Sequence, residues 1–152
     1  MEFNEQVNHT LDMVLHGGGF KKIIKDCYEP IRTEYELKQV DLEVLVALNI
    51  GQNVRMDTPT DIYNHLHISK GHVSLAIDHL LKERYIEAFV DDKDRRVVHY
   101  RITETGANLV RKMDEKREQL RDKLLQGLSD EEKNVFYKCL ANIMENMNKL
   151  FE

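Results

Sequence analysis

Residues 58–82, TPTDIYNHLHISKGHVSLAIDHLLK, constrain this chain more than any other stretch. Thr58 is a good N-cap, Pro59 suits a first helical position, and Asp61 stands where a capping-box acid belongs. The helix they open is short, because Ile62 and Leu66 are soon followed by His67, Ile68 and Ser69. Ser69 can cap a further helix over 70–83, with an inner face of Val73, Ala76, Ile77, Leu80 and Leu81. Its other face carries Lys70, His72, Ser74, Leu75 and His79. Two short helices joined by a tight turn, the second with a small polar outer face, form the helix-turn-helix pattern.

Two runs with strand alternation follow. Ile86, Ala88 and Val90 alternate in the first, and Val98, Tyr100 and Ile102 in the second. The connection between them, DDKDRR, is long for a hairpin and fully charged. A helix-turn-helix followed by a charged hairpin is a winged helix.

The flanks are helical. Phe3, Val7, Leu11, Val14 and Leu15 predict a helix over 3–15, interrupted by Gly17, Gly18 and Gly19. Helical spacing resumes through Phe20, Ile23, Ile24 and Cys27, and Pro30 marks an end or a kink. Leu37, Val40, Val44, Leu45 and Leu48 describe another helix that ends before Gly51. A long helix is expected over roughly 104–126, striped by Leu109, Met113, Leu120 and Leu124. Ser129 with Glu132 caps a last helix, in which Phe136, Leu140, Ile143, Met147 and Leu150 step by four and three. These end helices carry more apolar surface than a small winged helix needs, so a two-chain interface is the economical reading. The fold class is therefore mainly α, a winged helix-turn-helix with N- and C-terminal dimerisation helices. The expected parts are 1–36 as an N-terminal dimerisation region, 37–103 as the DNA-binding domain, and 104–152 as C-terminal dimerisation helices.

Bulk properties narrow the class of partner. The 152 residues carry a net charge of -5, which alone argues against nucleic acid. Residues 55–103, however, hold eight Lys/Arg against eight Asp/Glu, and five of the seven His. The flanks carry the whole acidic excess. No run of 18 apolar residues exists and no secretory pattern opens the chain, so membrane spans and export are not expected. Cys27 and Cys139 lie far apart with no CxxC, which fits a reducing cytoplasm.

The segment DKDRRVVHYRITETG resembles the wing signature of the MarR family of bacterial and archaeal winged-helix regulators, through Asp94, Arg96, Ile102, Thr103 and Gly106. Upstream, ISKGHVSLAIDHLLKERYIE is similar to that family's recognition helix and first wing strand. The likeness covers residues 37–106. It implies a homodimer that binds double-stranded DNA at a pseudo-palindromic operator, usually as a repressor, and that is released by a small ligand, an oxidant or a metal. Arg96 would be the wing arginine that enters the minor groove, with Asp94 orienting it. Ser69, Lys70, His72 and Ser74 would face the major groove. Thr60, Leu75, His79, Lys93 and Arg95 complete the expected DNA-binding set. Physical chemistry agrees independently: an Arg at a hairpin tip suits a narrow minor groove, and a capped helix start offers N–H groups to phosphate. Leu75 and His79 stand where many members have Arg, and Arg84 replaces a common helix-ending Gly. Leu75 thus offers an apolar contact, and shape readout should carry more of the binding than usual.

Competing readings are weaker. HGGGF, residues 16–20, looks like an esterase oxyanion loop, yet the chain has no G-x-S-x-G elbow, so no catalysis is expected. The glycines instead break the first helix or let a neighbour approach its backbone. Cys27 and Cys139 read as packed thiols rather than redox sensors. His65, His67 and His72 lack a carboxylate or Cys at metal-ligand spacing, so neither metal nor cofactor is expected. The remaining alternative is a protein-interaction module that keeps the winged helix without reading DNA.

Overall fold

The structure, a computed structural model, describes residues 18–51, 56–91 and 95–150. The expected helix over 3–15, with His16 and Gly17, lies outside them, as do Lys93 and Asp94. The first described helix, α1 (Gly19–Cys27), leads directly into α2 (Glu29–Glu34), with Tyr28 serving as the cap of both. Pro30 thus opens a short helix in its first turn, where its missing N–H costs no hydrogen bond. There follow α3 (Gln39–Gly51), α4 (Pro59–Leu66), α5 (Lys70–Lys82), β1 (Ile86–Val90), β2 (Val98–Ile102), α6 (Glu104–Leu124) and α7 (Asp130–Leu150).

The core sits where α3, α4 and α5 converge. Leu42, Leu45 and Leu48 of α3 meet Ile62 of α4 and Val73, Ile77 and Leu80 of α5, all buried. Each such aliphatic side chain contributes about 1.5–3 kcal/mol on leaving water. Leu109, Val110 and Met113 of α6 complete the cluster. The chain divides into two compact units inside α6, between Lys116 and Arg117. In the second unit α7 buries none of its side chains, although its start is well capped. Ser129 Oγ accepts the Glu132 N–H at 3.2 Å, and the Glu132 carboxylate accepts the Ser129 N–H at 2.8 Å.

The wing is a two-stranded antiparallel ribbon, paired from Ile86 with Ile102 to Val90 with Val98. Tyr100 and Ile102 of β2 pack against the core, partly buried, but β1 reaches it only at its base. Ile86 is buried, whereas Ala88, Val90 and Val98 are exposed and Phe89 is half-buried, so the alternation expected of β1 fails beyond its first residue. A lone ribbon has no second layer to cover its far end.

The corner that joins α5, the wing and α6 explains the Ile-Thr-x-x-Gly part of the wing signature. α5 ends with the Tyr85 N–H bonded to the Leu80 carbonyl at 2.9 Å and the Arg84 N–H to Leu81 at 3.1 Å. Arg84 takes the left-handed conformation, φ 59, that glycine usually takes at such an exit. The Thr103 hydroxyl donates to the carbonyls of Arg84 and Tyr85, at 2.7 and 3.1 Å, and accepts the Gly106 N–H at 3.1 Å. A Cβ on Gly106 would lie 2.1 Å from the Tyr85 carbonyl oxygen, so only glycine lets α6 start there. Gly18 and Gly19 have no such neighbour: nothing among the described residues lies within 4 Å of a Cβ at either.

Candidate nucleic-acid interface

Local sequence sets the helix-turn-helix. Thr58 Oγ1 accepts the Asp61 N–H at 3.2 Å while the Asp61 carboxylate accepts the Thr58 N–H, closing the expected capping box of α4. α4 stops at His67, which adopts the left-handed conformation (φ 53, ψ 35) and turns the chain. Ser69 then caps α5, accepting the His72 N–H at 3.4 Å, and its hydroxyl also pairs with His72 Nδ1 at 2.9 Å. Thr60, Ser69, Lys70, His72 and Ser74 are all exposed, and Leu75 is 65% exposed. Their neighbours on α5, Val73, Ala76, Ile77 and Leu80, are buried. The two faces are cleanly separated.

Several of the expected DNA-contacting side chains have intramolecular partners. Lys70 Nζ lies 4.8 Å above the ring of Tyr63 on α4, within cation–π range. His79 is half-buried, and its Nδ1 lies 2.9 Å from Oδ2 of Asp41 on α3. Asp41 is 1% exposed and also accepts the Lys38 N–H at 2.7 Å. Its burial requires those partners, because a carboxylate left alone in the core is strongly penalised. The pair ties the last turn of α5 to the first turn of α3.

A second pair ties the wing to the start of the helix-turn-helix. His99 Nδ1 of β2 lies 2.7 Å from Oδ1 of Asp57, and the Tyr100 N–H donates to the Asp57 carbonyl at 2.8 Å. Phe89 stacks on His99 with centroids 5.3 Å apart, and the Arg101 guanidinium sits 5.4 Å over the same Phe89 ring. Arg101 also pairs with Glu87, its cross-strand partner, at 2.6 Å. At the wing tip Arg95 and Arg96 are exposed in a turn.

A cleft of about 590 Å³ opens between α1, α3 and the turn after α4. Ile24, Leu66 and Ile68 form its apolar wall, and Lys21, Lys25, Gln39 and Glu43 its polar rim. The Gln39 side-chain oxygen is buried without a hydrogen-bond partner among the described residues. Among the described residues no group of three His, Cys, Asp or Glu could hold a metal ion. None of their helices is long and apolar enough to cross a membrane.

A family model described as a winged helix DNA-binding domain matches residues 37–106. A structure of a MarR family protein from Bacillus stearothermophilus superposes with a TM-score of 0.74, covering 97% of this chain and 99% of that one at 22% identity. This chain has the MarR winged-helix fold. Streptococcus pneumoniae FabT, solved in complex with DNA, shares that MarR-type architecture at a TM-score of 0.68 and 22% identity, over 97% of this chain and 99% of FabT. In sequence, the chain is 32% identical over 88 residues to YwhA of Bacillus subtilis, described as an uncharacterized HTH-type transcriptional regulator. That match takes in 58% of this chain and spans 63% of the relative's length.

The MarR-type frame shows what sequence reasoning missed. Asp41, Asp57 and His99 were not singled out, and each joins a part of the candidate interface to the scaffold. Their partners lie 38 and 42 residues away in the chain, beyond the reach of any periodicity. The thiols also differ from expectation. Cys139 is exposed on α7, none of whose side chains is buried, and Cys27 is half-buried with its Sγ 3.4 Å from the Lys116 carbonyl.

Proposed function

We propose that the protein is a sequence-specific regulator of transcription that binds double-stranded DNA as a homodimer, acts as a repressor, and works in the cytoplasm without catalysis. One observation carries this reading: a capped helix with an exposed polar face stands beside an arginine-tipped ribbon, in a domain matched by a winged-helix DNA-binding model. Each protomer would lay α5 in a major groove and the wing along the neighbouring minor groove. The two recognition helices would then lie about 34–36 Å apart on a pseudo-palindromic site. The dimer is supported by α7, whose Val135, Phe136, Leu140, Ile143, Met147 and Leu150 are between 43% and 83% exposed. A stripe of that size calls for a covering surface. The parts would be 1–36 and 104–152 for dimerisation, and 37–103 for DNA.

The cleft beside α3 is the seat we assign to a releasing effector. Its aliphatic wall fits an apolar body, Lys21 and Lys25 fit an anionic group, and the orphaned Gln39 oxygen calls for a donor. Leu66 ends α4 and Ile68 lies in the turn of the helix-turn-helix, so a molecule seated there would press on that turn.

Salt-titrated binding to fragments of the host genome tests the proposal. Each phosphate contact should contribute a slope of about -0.9 in log K against log salt. Arg96→Ala should weaken binding by roughly 1–3 kcal/mol and leave the oligomeric state unchanged. A protein that ignores every fragment at low salt is instead the interaction module.

A further inference from the structure

We infer that Leu75 is the base-reading centre of α5 and that its target is the C5-methyl group of a thymine. The inference rests on the DNA-binding reading above and goes beyond it by naming one specificity-determining residue and its chemistry.

The argument begins with what α5 can still offer a groove. His79 Nδ1 is committed to the buried Asp41, Lys70 lies over the Tyr63 ring, and the His72 ring is bonded to the capping Ser69 hydroxyl. Three of the polar side chains on the outer face thus have partners inside the molecule. Leu75 has none of that kind. It is 65% exposed at the middle of the helix, while Val73, Ala76, Ile77 and Leu80 around it are buried at 3% or less. On the preceding turn Gly71 carries no side chain, and nothing among the described residues lies within 4 Å of where its Cβ would be. Leu75 therefore stands clear on its N-terminal side, the direction in which a helical side chain leans.

The major groove presents only one apolar group to such a side chain. Donors and acceptors line every base edge, and the thymine methyl is the exception. A leucine set against a hydrogen-bonding edge would leave that edge unpaired and desolvated, whereas against the methyl it buries apolar surface on both sides. Thymine is accordingly favoured and the other bases are disfavoured at one position in each half-site.

The experiment exploits a change of one methyl group. An operator is selected from genomic fragments with the wild-type protein, and each thymine is then replaced singly by uracil, which keeps every hydrogen-bonding group. Binding is measured for wild type and for Leu75→Ala, an exposed position whose truncation leaves the core untouched. Uracil at one thymine per half-site should weaken wild-type binding about threefold to fivefold, the size expected for one methyl. The Leu75→Ala protein should bind thymine and uracil operators equally at that position. Wild-type binding that is indifferent to uracil everywhere overturns the inference, as does a Leu75→Ala protein with the same uracil sensitivity as wild type. If no fragment is selected at all, the DNA-binding reading itself fails, a result distinct from the other two.

Discussion

Single residues decide whether the corner between α5, the wing and α6 can close. Gly106→Ala would place a methyl 2.1 Å from the Tyr85 carbonyl oxygen, and the obstacle is backbone, which cannot step aside. The substitution should cost about 3 kcal/mol of stability in urea unfolding, at the upper end of overpacking effects. A different residue-level effect belongs to Glu34. Its carboxyl is held below the usual 4.5, first by a hydrogen bond with Tyr35 and then by one with Lys112. A lowered carboxylate contributes stability above its unfolded value and loses it as pH falls through the lower folded value. The stability difference between wild type and Glu34→Gln should therefore be constant at neutral pH and vanish in acid, as followed by urea titrations from pH 7 to pH 3. These residue-scale features were unevenly legible. Gly106 and Thr103 were visible as parts of a signature, but the reason for them, a shared carbonyl at Tyr85, appears only in three dimensions.

Among elements, α5 depends on α3 more than its own sequence suggests. His79→Ala removes one of two partners of the Asp41 carboxylate and leaves a 1%-exposed charge on the Lys38 N–H alone. A loss of about 1–3 kcal/mol in chemical unfolding is expected. His79→Gln, which can still donate to Asp41, should recover part of it. Elements whose boundaries rest on neighbours in sequence were readable in advance. The capping boxes of Thr58 with Asp61 and of Ser129 with Glu132 span three residues each and are found as expected. The wing was readable as a hairpin, but the inward turn of Ala88 was not realised, since alternation describes a strand with a core on one face and β1 is buried only at Ile86, while Tyr100 and Ile102 of β2 pack against the core. The His99–Asp57 tie was hidden for another reason: its partners share no element.

At the level of the whole molecule, α7 poses the clearest question. A helix of 21 residues that buries no side chain of its own chain is poorly stabilised unless something covers it. Replacing Phe136 and Ile143 together by Glu should yield a monomer in sedimentation while the far-ultraviolet signature of the winged helix persists. Unchanged assembly would send the dimer contact elsewhere. The heptad-like steps of this helix were legible at the outset, and so was its surplus of apolar surface. What a sequence cannot display is where one folded body yields to the next. The change falls between Lys116 and Arg117, inside a helix, with no proline or glycine to mark it.

The Thr103 corner bears on how this winged helix could be transplanted. An excised segment ending at Thr103 would lose the N–H of Gly106 and with it the Leu109, Val110 and Met113 side chains that close the hydrophobic interior. A chimera built for grafting onto another scaffold has to carry the chain onward through Met113, three turns past the ribbon. Shorter cuts would export the ribbon and its helices without the latch that keeps them shut.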